Sequence, residues 1–215
     1  MKLITDKVSN GLPSKEFTEF LKTPTPYSSF TAKEAEELEE LLKNGLDKYP
    51  GLGISATQLG IKKRACYIKF GDDENGVELF LLNPIIKERS KDGFLFYEGC
   101  LSIPKTVTSP LRTIRSTKVV VMTDNLGEMI FEINPDGDKA NERVSTETMM
   151  TVIVQHEIDH LDGITIKDRI YSTTRTVKKN YGRNDIIVMK STDGEMIEVK
   201  FKNANKYFLQ GYEVV

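Results

Sequence analysis

The sequence predicts an α+β domain, with antiparallel strands around one central helix and a small C-terminal ββα-like extension. Three observations carry that expectation. The elements run in the order two helices, several short strands and one more helix, which is the α+β pattern and not the alternation of an α/β fold. The late helix contains Gln155-His156-Glu157-Ile158-Asp159-His160. Histidines four residues apart share one face of a helix, one turn from each other, so this central helix has the spacing of a metal-binding one. After Asp185, two strand-like runs meet across Asp193-Gly194 and lead into a short helical stretch, a second pattern separate from the first.

A chain of 215 residues with 39% hydrophobic content suffices for one good core and a small appendage. Thirty basic residues against thirty-two acidic ones leave a formal charge of -2, so there is no basic footprint for nucleic acid. The opening Met1-Lys2-Leu3-Ile4-Thr5-Asp6 lacks a long apolar run, and no later segment is long enough to cross a bilayer. The expected location is cytoplasmic, with no membrane partner. Two cysteines make no disulfide framework, and in a reducing compartment Cys100, close to acidic and glycine residues, reads as a ligand or nucleophile candidate.

Taken in order, Lys15 to Lys22 forms a short helix with Phe17, Phe20 and Leu21 on one side, ended by Pro24 and Pro26. Thr31 and Glu34 form a capping box before an acidic helix whose apolar stripe is Ala35, Leu38, Leu42 and Leu46. Small residues crowd Gly51 to Gly60. Gly51 and Gly53 give the backbone room for unusual torsions and close approach to a ligand, and Gln58 offers an amide donor, although by itself the stretch reads as a tight turn before a strand. Strands follow at Arg64 to Phe70 and Val77 to Leu82 across an Asn75-Gly76 turn, with Cys66 as plain core. Ile85-Ile86 and Phe94 to Tyr97 continue the run into Glu98-Gly99-Cys100-Leu101-Ser102, and Lys118 to Thr123 pairs with Glu128 to Ile133. Asn134 to Asn141 is a polar loop. The metal helix runs from Thr148 to Gly163, capped by Ser145 or Thr146, with Met149, Val152 and Ile153 at helical spacing from His156. Residues 1–170 thus form the main domain, 171–184 a polar and basic linker, and 185–215 the hairpin-helix extension.

A thiolate at Cys100 beside His156 and His160 would complete a Cys/His/His set, leaving a fourth position open on one metal ion, as catalytic sites do. Glu157, next to those ligands, is placed for proton transfer. A helix that happens to carry two core histidines is the bland alternative, but these are the chain's only histidines and they stand at ligand spacing.

Three stretches in this order, GLGISATQ at Gly51 to Gln58, EGCLS at Glu98 to Ser102 and QHEIDHLDG at Gln155 to Gly163, closely resemble the signature motifs of peptide deformylases. The first departs once, with Ser55 where the family usually has alanine. The stretches Ser102 to Val119 and Ile133 to Met149 look longer than usual, which leaves open whether Arg112 or Arg115 matches the family's arginine. The C-terminal extension suggests a phage-like member.

The resemblance implies removal of the formyl group from N-formylmethionyl peptides, with formate released and the ribosome as a further partner. It implies one divalent metal, most often Fe²⁺, with Zn²⁺, Ni²⁺ or Co²⁺ accepted; the donor set suits any of these. By resemblance the Gln58 amide and the Leu101 backbone N–H stabilise the developing oxyanion. Gly51 and Gly53 would let the substrate backbone lie alongside. Phe96, Met149, Val152 and Ile153 are the expected methionine pocket, each also readable as packing. Two rivals remain at this level. A zinc endopeptidase shares His-Glu-x-x-His but typically finds its third ligand downstream, whereas Cys100 lies upstream. A non-catalytic metal-bound binding protein would need neither Glu157 nor Gln58.

Overall fold

The computed structural model describes residues 2–6, 8–9, 12–71, 76–134, 144–171, 182–191, 194–208, 210 and 212–214. Its elements are β1 (Val8–Ser9), β2 (Leu12–Pro13), α1 (Lys15–Leu21), α2 (Ala32–Lys48), β3 (Gly53–Ser55), β4 (Ala65–Phe70), β5 (Val77–Leu82), β6 (Ile85–Arg89) and β7 (Gly93–Glu98). There follow α3 (Lys105–Thr108), β8 (Leu111–Ser116), β9 (Lys118–Thr123), β10 (Gly127–Glu132), α4 (Thr146–Leu161), β11 (Ile186–Lys190), β12 (Met196–Lys200), α5 (Asn205–Phe208) and β13 (Glu213–Val214). The strand pairs are antiparallel, in the orders β3-β4-β5, β10-β9-β6, β7-β8, β1-β2 and β12-β11-β13. The α+β expectation holds.

Local chemistry sets the helix ends. The Ser14 hydroxyl accepts from the Phe17 N–H, the Thr31–Glu34 capping box closes at both hydrogen bonds, and Ser145, not Thr146, caps α4 by accepting from the Thr148 N–H. Gly163 ends α4 at φ +72°, and a Cβ there would lie 2.9 Å from the Pro24 nitrogen, so both torsion and space require glycine.

The core gathers on α4. Cys66, Ile68 and Leu81 from one sheet and Val119, Val121 and Phe131 from another enclose Met150, Ile153, Val154, Ile158 and Leu161. The spacing of Met149, Val152 and Ile153 pointed to one apolar side, but every residue from Met150 to Leu161 is buried, because sheets pack on several sides of the helix. Thr151, Gln155 and Asp159 of this helix are bonded inside, as when the Thr151 hydroxyl donates to the Glu147 carbonyl at 2.8 Å.

Other expectations shift in detail. Gly53 to Ser55 is itself a strand, followed by a 3₁₀ turn at Ala56–Leu59, where a turn before a strand was expected. Neither Gly51 nor Gly53 has positive φ, so what they supply is space and not unusual torsion. The strand β8 and the short helix α3 were not anticipated, since the alternation in Leu111 to Ser116 is interrupted by two arginines and two hydroxyl residues. The Asn75 side of the first hairpin turn, most of the 134–141 loop, most of the 171–184 linker and Gly211 lie outside the described residues. In the extension, Ile187, Met189 and Ala204 form a cluster with Ile197, Val199, Phe201, Tyr207, Tyr212 and Val214.

The N-terminal segment ties the site together from behind. Ile4 N–H donates to the Gln58 carbonyl and Asp6 N–H to the Ser102 carbonyl, both at 2.8 Å, and Ile4 packs with Phe17 and Leu21.

Candidate metal centre

The end of β7 delivers Glu98 and Cys100, and α4 delivers His156, Glu157 and His160. Cys100, His156 and His160 are buried, and their ligand atoms lie within 4.8 Å of one another. The Cys100 Sγ to His160 Nε2 distance is 3.3 Å, close to the ~3.5 Å edge of a tetrahedron with metal–ligand bonds of ~2.0–2.3 Å. The imidazoles stand edge to face with centroids 4.9 Å apart. His156 meets the Glu98 carboxylate through Nδ1 at 2.8 Å, which leaves Nε2 as its ligand atom. Burial pushes the Cys100 thiol up, but the charges and hydrogen bonds of His160 and His156 outweigh this and bring it down to about 5, so the thiolate that metals require is favoured. This donor set fits one divalent metal of the kind thiolate and imidazole both accept.

Glu157 is 3% exposed, and its Oε2 has no hydrogen-bond partner. Burial raises its pKa, against the opposing pull of the two histidines. Gly53 sits against it: a Cβ there would come within 2.7 Å of Oε1 and 2.9 Å of Cγ. Any larger residue at that position would push the carboxylate aside.

Gln58 is held from three sides. Its Oε1 accepts from the Ser55 N–H at 2.8 Å and the Ser55 hydroxyl at 3.1 Å, and Nε2 donates to the Ser102 hydroxyl at 3.2 Å. The amide oxygen is thereby occupied and one N–H of Nε2 is left for a ligand. Ser55, the departure from the first motif, thus does more than pack: its hydroxyl adds a bond that fixes the orientation of Gln58.

These residues surround a cleft of about 270 Å³, lined by Gly51, Gly53, Gln58, Phe96, Cys100, Leu101, Met149, Val152, Ile153, His156 and Glu157, among others. Ile153 and Met149 also belong to or pack on the main core, so for them packing and lining coincide. Sequence reasoning missed the apolar rim of Leu52, Tyr97 and Val107, which are 42%, 67% and 54% exposed. Val107 lies on α3, in a stretch with no periodicity to announce it.

It also missed what supports the ligands. Arg115 is fully buried and donates through Nε and Nη2 to Glu98 at 2.6 and 2.7 Å, and through Nη1 to Asp159. Asp159 also takes two bonds from Arg169 at 2.9 and 2.7 Å. Thr113 donates to Glu98 as well. Despite burial, the hydrogen bond of His156 and the Arg115 guanidinium hold the Glu98 carboxyl below the usual range, and Arg169 and Arg115 do the same for Asp159. Arg115, and not Arg112, therefore reaches the site; Arg112 is exposed and stacks over the Tyr171 ring. The available signal was the i, i+3 spacing of His156 and Asp159, which places a carboxylate beside the ligand face. Arg115→Met leaves two buried carboxylates without their shared cation. It is expected to cost about 3–5 kcal/mol in urea unfolding and to weaken metal binding by about 10–100-fold, because Glu98 orients His156.

An antiparallel α+β core with a buried Cys/His/His set and an unpaired carboxylate in an open cleft defines a metal-dependent hydrolase. A family model described as Polypeptide deformylase matches residues 18–176. The chain is 36% identical over 137 residues to a peptide deformylase of Natranaerobius thermophilus, covering 62% of this chain and 77% of that protein. It is 33% identical over 149 residues to peptide deformylase 2 of Clostridium perfringens, covering 68% and 84%. Among solved structures, a probable peptide deformylase from Synechococcus phage S-SSM7 superposes with a TM-score of 0.59 at 25% identity, covering 79% of this chain and 99% of that one. The chain belongs to the polypeptide deformylase family. It is a hydrolase that removes N-formyl groups from nascent polypeptides, and the endopeptidase and binding-protein alternatives fall away.

Proposed function

We propose that the cleft acts on N-formylmethionyl peptides, with Cys100, His156 and His160 holding one divalent metal, Fe²⁺ in the working enzyme, and Glu157 transferring the proton. The observation that carries this reading is the buried, unpaired Glu157 Oε2 beside the three-donor cluster. When bound, the metal would polarise the formyl carbonyl and make a nucleophile available near neutral pH. Glu157 accepts a proton from the attacking water and returns it to the departing amine, a task favoured by its raised pKa. The free N–H of Gln58 and the Leu101 backbone N–H meet the charge growing on the carbonyl oxygen. Among the described residues β3 pairs only with β4, and β7 only with β8, which leaves each an edge along which the substrate main chain can run. Phe96, Met149, Val152 and Ile153 take the methionine side chain, and Gly51 and Gly53 keep the floor low. The test is formate release by the iron-loaded protein from a formyl-Met peptide, with an acetyl-Met peptide as the control. Equal hydrolysis of both would overturn the assignment, and metal analysis after anaerobic purification checks the iron.

We place the enzyme in the cytoplasm, where nascent formylated chains arise; no helix among the described residues is long and apolar enough to cross a membrane. The extension from 185 onward is read as a separate unit serving location or partner binding, with the ribosome the first partner to test by co-sedimentation. In support, its cluster is built from its own residues and the family match ends at residue 176. Deleting Thr173 to Val215 is expected to leave metal content and deformylation of a short peptide within a few-fold of the intact chain. A soluble, fully metallated truncation without turnover would show that the extension completes the site.

A further inference from the structure

The loop that carries Cys100 leaves β7 and is closed by a single hydroxyl from α3. Thr106 is 4% exposed, and its Oγ1 accepts from the Cys100 N–H at 2.8 Å. The same Oγ1 has one hydrogen to give, and it goes to the Ile103 carbonyl at 2.7 Å and not to the Cys100 carbonyl at 3.5 Å. The Cys100 carbonyl is taken instead by the Ile103 N–H at 2.9 Å, within the bridge that joins Cys100 to Ile103. Both main-chain groups of Cys100 are therefore engaged inside the loop.

Those bonds reach two groups of the site. With the N–H and the carbonyl of Cys100 held, only χ1 is left to set where its Sγ stands, 3.3 Å from His160 Nε2. The peptide between Cys100 and Leu101 is planar and trans, so its N–H points away from its carbonyl, and holding the Cys100 carbonyl also aims the Leu101 N–H. The approach of α3 is close as well. A Cβ on Gly99 would come within 2.9 Å of the Thr106 carbonyl and 3.2 Å of the Val107 Cα, so glycine lets this helix sit against the loop. Cys100 and Ile103 pack with the buried Ile166, and Leu111 lies against them. In that apolar setting a Cys100 N–H deprived of the hydroxyl would be a buried, unpaired donor, and the loop would shift to pair it.

We propose that Thr106 is a positioning residue for the reaction, with one hydroxyl setting both the metal-binding Sγ of Cys100 and the oxyanion donor of Leu101. The inference rests on the roles given to those two residues above. Thr106 stands outside the three motif stretches, on the short helix whose next residue, Val107, lines the cleft.

The test uses Co²⁺, whose thiolate charge-transfer and d–d bands report the Sγ bond and the geometry of the centre. The full-length protein is titrated with Co²⁺ against a competing chelator, and the cobalt enzyme is then assayed for formate release from a formyl-Met peptide. Thr106→Val keeps the shape and removes the hydroxyl. It is expected to weaken Co²⁺ binding by about tenfold and to shift the thiolate band. It should also lower kcat by about tenfold with KM changed by less than about twofold, because an oxyanion donor acts in the transition state. Thr106→Ser, which keeps the hydroxyl, should restore all three. Equal losses in the valine and serine variants overturn the proposal, since they would report packing and not the hydroxyl. If Thr106→Val fails to fold, Thr106→Ala compared with Thr106→Ser decides in the same way. The unsubstituted chain separates this inference from the reading beneath it. No thiolate band there with Co²⁺ bound removes the ligand role of Cys100 and this inference with it, whereas a normal band there and an unaltered one in Thr106→Val, at unchanged affinity and kcat, overturns this inference alone.

Discussion

Glu157→Gln is expected to keep full metal content and lose turnover by a factor on the order of 10² or more. The substitution preserves shape, so the contact with Gly53, where a Cβ would already stand 2.7 Å from Oε1, changes little. What it removes is the ability to accept a proton. Among the described residues that line the cleft, Glu98 is the one other carboxylate. Glu98, the nearest alternative, is engaged by Arg115, Thr113 and His156 and held in its charged form. The measurement is formate release with metal per chain determined on the same sample. Near-normal turnover at full occupancy would make Glu157 structural.

Cys100→Ala is expected to lose metal and activity together, and His156→Ala and His160→Ala to do the same. The thiolate is the one anionic ligand of the set, lowered to about 5 by its two histidine neighbours against the effect of burial. Without it, two neutral imidazoles remain, and a divalent ion at a buried position loses both a bond and its charge partner. Cys66→Ala is the internal control. Cys66 is also buried, but burial and the nearby Glu157 raise its thiol well above the ordinary value, so it is a core side chain without thiolate character. It should retain metal. A Cys100→Ala protein with full metal content and normal turnover would sink the ligand assignment.

Residues close in the chain, or repeating with the period of one element, made much of this protein readable from its sequence. The i, i+4 histidines with Glu157 between them, the Thr31–Glu34 box, the Ser145 cap and the Gly163 stop are all local, and each appears where the spacing puts it. Cys100 was reached from its chemistry and its motif, although it stands 60 residues from its partner His160. The sequence could not say that α4 is buried on every face, because periodicity reports one preferred side and says nothing of how many sheets will cover a helix. Nor could it choose between Arg112 and Arg115. They are three apart on one strand and so point to opposite faces, and only the β7–β8 register decides which face meets Glu98 and Asp159. The contact between Gly53 and Glu157 was out of reach for the same reason. Glu157 is more than a hundred residues from Gly53, and the need for a missing Cβ exists only once tertiary packing brings the two together. Sequence by itself determined which chemistry the chain carries, while the pairing of strands and their packing on α4 decided which buried charges hold that chemistry in place.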